Sequence, residues 1–117
     1  MPAHFATVAP LLPAGPSLAA TLDFYTRHLG FTVAWQHGTM AGIRRGDVHL
    51  NLIANDTRAW IENASLAIGV DDLSALYAEY RDAPAKVGPL ETKPWGRREF
   101  HLIDPTGVCF QFYQRPT

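Results

Sequence analysis

Glu99-Phe100-His101-Leu102-Ile103-Asp104-Pro105-Thr106-Gly107-Val108-Cys109-Phe110-Gln111-Phe112-Tyr113 is the stretch on which the fold turns. Asp104, Pro105 and Gly107 occupy the first, second and fourth places of a four-residue turn, which is type I chemistry. The segments Glu99 to Ile103 and Val108 to Tyr113 therefore read as the two arms of a hairpin. In the second arm Val108, Phe110 and Phe112 alternate with Cys109, Gln111 and Tyr113. One set is bulky and apolar, suited to packing beneath helices, and the other is polar, small or amphipathic. The same split recurs upstream. Val48, Leu50 and Leu52 oppose His49 and Asn51, and Leu66, Ile68 and Val70 oppose Ser65, Ala67 and Gly69. A sheet face lined by Asn51, Ser65, Ala67, Gly69 and Gln111 leaves room for a ligand. Periodicity reads equally well as an ordinary solvent-facing side, and the low charge of this face favours a cleft.

Outward from the hairpin, the order of elements repeats. Phe5 to Leu12 reads as a strand that ends at Pro13 to Pro16. Ser17 stands as N-cap before Leu18, Leu22, Tyr25 and Leu29, which share one helical face, and Gly30 follows as the C′ residue. Phe31 to Trp35, Met40 to Arg44 and Val48 to Ile53 read as strands, with glycines 38, 42 and 46 marking turns or bulges. Asn55 to Asn63 is polar and reads as an irregular connection. Leu66 to Val70 is a strand, and Asp71 or Asp72 caps a helix carrying Leu73, Leu76, Tyr77 and Tyr80, which Pro84 terminates. Val87 to Thr92 and the hairpin complete the chain. Each half thus reads strand, helix and three strands. The expected class is α+β: two βαβββ modules forming curved mixed sheets, about 5–54 and 65–115 with a connection at 55–64, in one domain spanning 1–117.

Composition narrows the function. The 117 residues carry ten Lys and Arg against eleven Asp and Glu, a net charge of −1, which gives no basic field for a nucleic-acid backbone. With one cysteine, Cys109, no intrachain disulfide can form. No apolar run approaches the roughly 20 residues that span a bilayer, and Met1-Pro2-Ala3-His4-Phe5 lacks the basic-then-apolar order of a signal peptide. The expectation is a cytoplasmic protein with no nucleic-acid or membrane partner. Cys109 reads as a half-buried inert thiol more readily than as a nucleophile activated by His49 or His101. No Gly-rich phosphate loop opens a helix, and no pair among the five histidines has i, i+4 spacing.

Several strings resemble a known family. Leu22-Asp23-Phe24-Tyr25 with His28-Leu29-Gly30-Phe31 resembles the first-helix signature of the glyoxalase/bleomycin resistance (vicinal oxygen chelate) superfamily. Pro94-Trp95-Gly96, Arg98-Glu99-Phe100 and Asp104-Pro105-Thr106-Gly107, with one extra Arg at 97 or 98, are similar to the C-terminal signature of bleomycin resistance proteins. The resemblance runs from about Pro10 to Gln114. It implies the glyoxalase/bleomycin resistance fold and a homodimer with ligand clefts at the interface. It also implies an exchanged N-terminal arm, with Pro10 matching the proline of that arm.

Enzymes of the superfamily hold a divalent metal on inward-facing His, Glu or Gln side chains from four strands. Those positions fall here at about Leu11 (or Pro10), Asn51, Ser65 and Gln111, of which only Gln111 is a ligand type the family uses. The resemblance therefore implies no metal, no other cofactor and no catalytic residues. It implies instead a small-molecule ligand, bleomycin-like or another planar antibiotic, bound and sequestered for resistance. Trp95 matches the tryptophan lining the drug cleft, and Gly96 beside it leaves the indole face accessible. Met40 stands where an aromatic lines the cleft. Trp35, Trp60 and Tyr113 are further stacking candidates, and His49, Asn51 and Gln111 are the polar groups. A core or dimer-contact role remains open for the tryptophans. Bleomycin resistance proteins are acidic, whereas this chain is nearly neutral with Arg97 and Arg98 beside Trp95, which suits a neutral or weakly anionic aromatic ligand. The alternative is a lyase, isomerase or dioxygenase of the same superfamily, with a displaced metal site or none.

Overall fold

Residues 1–116 are described by the computed structural model. The first sheet contains β1 (Leu11–Pro13), β2 (Thr32–His37), β3 (Met40–Arg45) and β4 (Val48–Ile53) in the order β1-β4-β3-β2. The second contains β5 (Ser65–Val70), β6 (Lys86–Val87), β7 (Glu91–Thr92), β8 (Arg98–Ile103) and β9 (Cys109–Gln114) in the order β5-β9-β8-β6, with β7 also on β8. In each sheet the first strand runs parallel to the last and the other pairs are antiparallel. The result is a mixed α+β fold with two curved mixed sheets.

The helices cover the apolar faces. Ser17 caps α1 (Leu18–Arg27) by accepting the Ala20 N–H at 3.1 Å, a contribution of about 1 kcal/mol. Asp72 caps α3 (Leu73–Tyr80) in the same way through Ala75 N–H. Leu22 and Tyr25 of α1, Leu73 and Tyr80 of α3, Ile43, Leu50 and Leu52 of the first sheet and Phe100, Phe110 and Phe112 of the second form one buried cluster. Tyr25 joins the halves, packing edge-on to Phe31 and Phe110 with its hydroxyl donating to Asp104 Oδ2. The other oxygen of Asp104 accepts the N–H groups of Gly107 and Val108 at 2.8 and 3.0 Å. The expected type I turn is thus anchored to α1 by a carboxylate that is 4% exposed. Burial first, and the Asp104 carboxylate second, push the Tyr25 hydroxyl well above its ordinary pKa, so it stays a donor.

Four expectations are corrected. The first strand is Leu11–Pro13 and does not begin at Phe5. The pairing with β4 covers Asn51 to Ile53 alone, and Phe5 and Val8 stand exposed before it. The connection after β4 is not irregular throughout, because it holds α2 (Arg58–Asn63), anchored by a fully buried Ile61. Six residues are too few to show helical periodicity. Val87 to Thr92 is two short strands, separated by Gly88-Pro89-Leu90, where proline has no N–H to donate. The third helix ends at Tyr80, before Pro84 is reached.

Candidate functional site

Cross-strand register sorts the expected site residues onto two sheet faces. On the first sheet Leu11, Asn51, Gly42 and Trp35 form one row across β1, β4, β3 and β2. His49 pairs with Arg44 and Met40 with Ile53 on the same face. Trp35 lies across Gly42, where any Cβ would overlap the indole nitrogen. A strand-interior glycine here makes space for an aromatic. The indole stays 43% exposed.

On the second sheet the face opposite the core carries three rows: Gly69-Tyr113-Glu99, Ala67-Gln111-His101 and Ser65-Cys109-Ile103. Gln111 therefore pairs with Ala67, and Ser65 with Cys109. Tyr113 lies over Gly69, where a Cβ would come within 2.9 Å of the ring. Trp95 and Gly96 sit in the turn between β7 and β8, closed by Gly96 N–H to Lys93 O at 2.8 Å and Lys93 N–H to Arg97 O at 3.0 Å. Gly96 has φ +89, a left-handed geometry that side chains resist. Trp95 is 64% exposed, so most of its indole stands in solvent. Trp60 is set apart from both faces, packed against the core from α2.

Beneath Trp95 lies a group that sequence reasoning passed over. Glu99 is 1% exposed. Its Oε2 accepts from Trp95 Nε1 at 3.1 Å and Arg97 Nε at 2.8 Å, and His101 Nε2 lies 2.7 Å from Oε1. Burial opposes ionisation, but the hydrogen bonds from His101, Arg97 and Trp95 outweigh it and hold the carboxyl near a pKa of about 2. Arg97 in turn lies with Cζ 4.0 Å from the Tyr113 ring centroid. The available signal was spacing. Glu99 and His101 are two residues apart on β8, which sets them on one face, while Trp95 and Arg97 reach that face from the turn before it.

The donor set does not fit a divalent metal. Leu11 offers no ligand atom, Asn51 and Gln111 are neutral amides, and Ser65 or its neighbour Ala67 adds no charge. Among the described residues no three His, Cys, Asp or Glu side chains converge. Glu99 lies on the same face, yet its oxygens are taken by three donors. Burial pushes the Cys109 thiol up, away from the reactive thiolate.

A cavity lies elsewhere. It measures about 540 Å³ and is bordered by Phe31, Arg45, Val48, Ile68, Tyr80 and Phe112 among others, and of the residues expected to face a ligand it touches Gly69 alone. A second, of about 220 Å³, lies between α1 and the Pro105-Thr106 turn. The faces bearing Trp95 and Trp35 are open in one chain.

A fold of paired mixed sheets with polar, small-residue faces and an exposed tryptophan turn matches a known pattern. The chain belongs to the Glyoxalase/Bleomycin resistance protein/Dioxygenase superfamily, whose pattern matches residues 7–112. It is similar to the bleomycin-binding protein from bleomycin-producing Streptomyces verticillus, whose crystal structure is complexed with copper(II)-bleomycin. Identity is 29%, the TM-score is 0.86, and the match covers 97% of this chain and 99% of that one. It is also similar to the bleomycin resistance determinant encoded on the transposon Tn5, at 23% identity and a TM-score of 0.82, over 97% and 100% of the two chains. That second likeness shows the fold alone. No curated protein sequence matches the chain. Among the described residues no helix is long and apolar enough to cross a membrane.

Proposed function

We propose that this protein is a homodimer that binds a planar, antibiotic-type small molecule and confers resistance by sequestering it, without breaking a bond. The observation that carries the reading is Trp95: an indole anchored by its N–H to buried Glu99, with most of its surface open to solvent. An anchored aromatic offers stacking area at little further entropic cost. Gly96, Tyr113 and Gln111 act with Trp95 from one sheet. Trp35, Met40, His49 and Asn51 act from the first sheet, and apposition of two chains closes the cleft. Similarity to the Streptomyces verticillus bleomycin-binding protein supports this choice of ligand class. The poor metal-ligand set supports binding over metal-assisted chemistry.

Titration with metal-free and copper-loaded bleomycin and with other planar antibiotics, followed by tryptophan fluorescence, tests the reading. Saturable quenching is expected, with expressing cells surviving the drug that quenches. Absence of quenching by every compound, together with no protection of cells, would overturn it.

A further inference from the structure

We infer that Arg97 makes the Trp95 site a receptor for planar aromatics that carry an oxyanion at the ring edge. This rests on the binding reading above and narrows its ligand class. Arg97 is held from two sides, by Nε donating to Glu99 and by the Tyr113 ring 4.0 Å from Cζ. Its terminal nitrogens Nη1 and Nη2 have no partner among the described residues, and the side chain is 36% exposed. A loose surface arginine loses rotamer freedom on engaging an anion. Here the two anchors have already removed it, and a planar donor fork remains, matched to a carboxylate or sulfonate.

The surrounding charges leave that fork as the exposed cation beside the indole. Glu99 is buried with both oxygens engaged, and the half-exposed Glu91 carboxylate across the strand pair from it is tied to Lys93. Lys93 is paired with Glu91 at 2.7 Å. Arg98 turns to the helix side and donates to Ser74 Oγ. Because Glu99 grips both the Trp95 N–H and Arg97 Nε, stacking surface and anion fork are set by one group.

The test uses the ¹⁵N-labelled full chain and follows the Trp95 indole N–H signal, assigned by its absence in Trp95→Phe. Three probes of one ring system are titrated at low salt: naphthalene-2-sulfonate, 2-naphthylmethanol and 2-naphthylmethylammonium. The sulfonate is expected to bind about tenfold tighter than the alcohol, with the ammonium weakest, and Arg97→Gln is expected to bring the sulfonate within about threefold of the alcohol. In the unaltered protein, added sodium chloride should erode the sulfonate preference, a readout independent of how well the variant folds. Equal binding of the three probes, or a preference that survives both Arg97→Gln and salt, overturns the inference while leaving binding at Trp95 intact. If no probe moves the Trp95 signal while one of the antibiotics titrated above does, the inference fails alone; if none of these compounds does, the binding reading fails with it.

Discussion

Glu99 does at one residue what most of the site depends on: it holds the Trp95 edge, the Arg97 guanidinium and the His101 ring from a buried position. Its folded-state pKa of about 2 lies below the ordinary 4.5. Between those values the unfolded chain binds more protons than the folded one, so the stabilisation is complete above about pH 4.5 and fades as the pH falls toward 2. The gap corresponds to on the order of 3 kcal/mol. Glu99→Gln, which removes the charge and turns an amide donor toward existing donors, should lower stability at neutral pH by an amount up to that figure and flatten the acid decline. Urea unfolding across that pH window checks it, and an unchanged slope would show that the carboxylate is not ionised by these partners. Nothing in the composition of one strand marked Glu99. A glutamate on the polar side of a strand reads as surface, and the Trp95, Arg97 and His101 groups that close on its oxygens are brought there by folding.

At the scale of elements, two glycine–aromatic pairs flatten the sheet faces: Gly42 under Trp35 and Gly69 under Tyr113. Gly42→Ala should displace the Trp35 indole and cost about 1–3 kcal/mol, as overpacking does. Thermal unfolding together with a red shift in tryptophan emission would record it. Tyr25→Phe removes the donor to buried Asp104 and should cost about 1–3 kcal/mol, measured by denaturant unfolding. The helices, the Asp104–Gly107 turn and the core rows were legible because long periodic runs and turn residues speak locally. The short α2 was not, since Ile61 is its one fully buried residue. Gly42 reads in sequence as a turn or bulge and Gly69 as room on a sheet face, but the aromatic each admits depends on the facing strand. Trp60 illustrates the same limit: an indole on a short helix packs inward or outward according to a neighbour that its own sequence does not name.

For the molecule as a whole, the proposed dimer accounts for exposed apolar surface that one chain leaves unused. Phe5, Val8, Leu11, Val33 and Trp35 are all exposed, and they lie on the N-terminal arm and the two edge strands of the first sheet. Sheet edges and apolar arms of this kind invite pairing with another chain. Sedimentation should give twice the chain mass of 12.9 kDa, and deleting residues 1–9 should weaken the association. A monomer at micromolar concentration would remove the cleft from the proposal.

Sequestration at this site makes one demand above the others: the ligand must be held and returned unaltered. Native mass spectrometry of the protein mixed with a planar antibiotic that it binds reads both at once. The expected spectrum shows two chains carrying ligand, and collisional release yields that ligand at its original mass. A ligand released with altered mass, or chains that never retain it, would contradict passive capture.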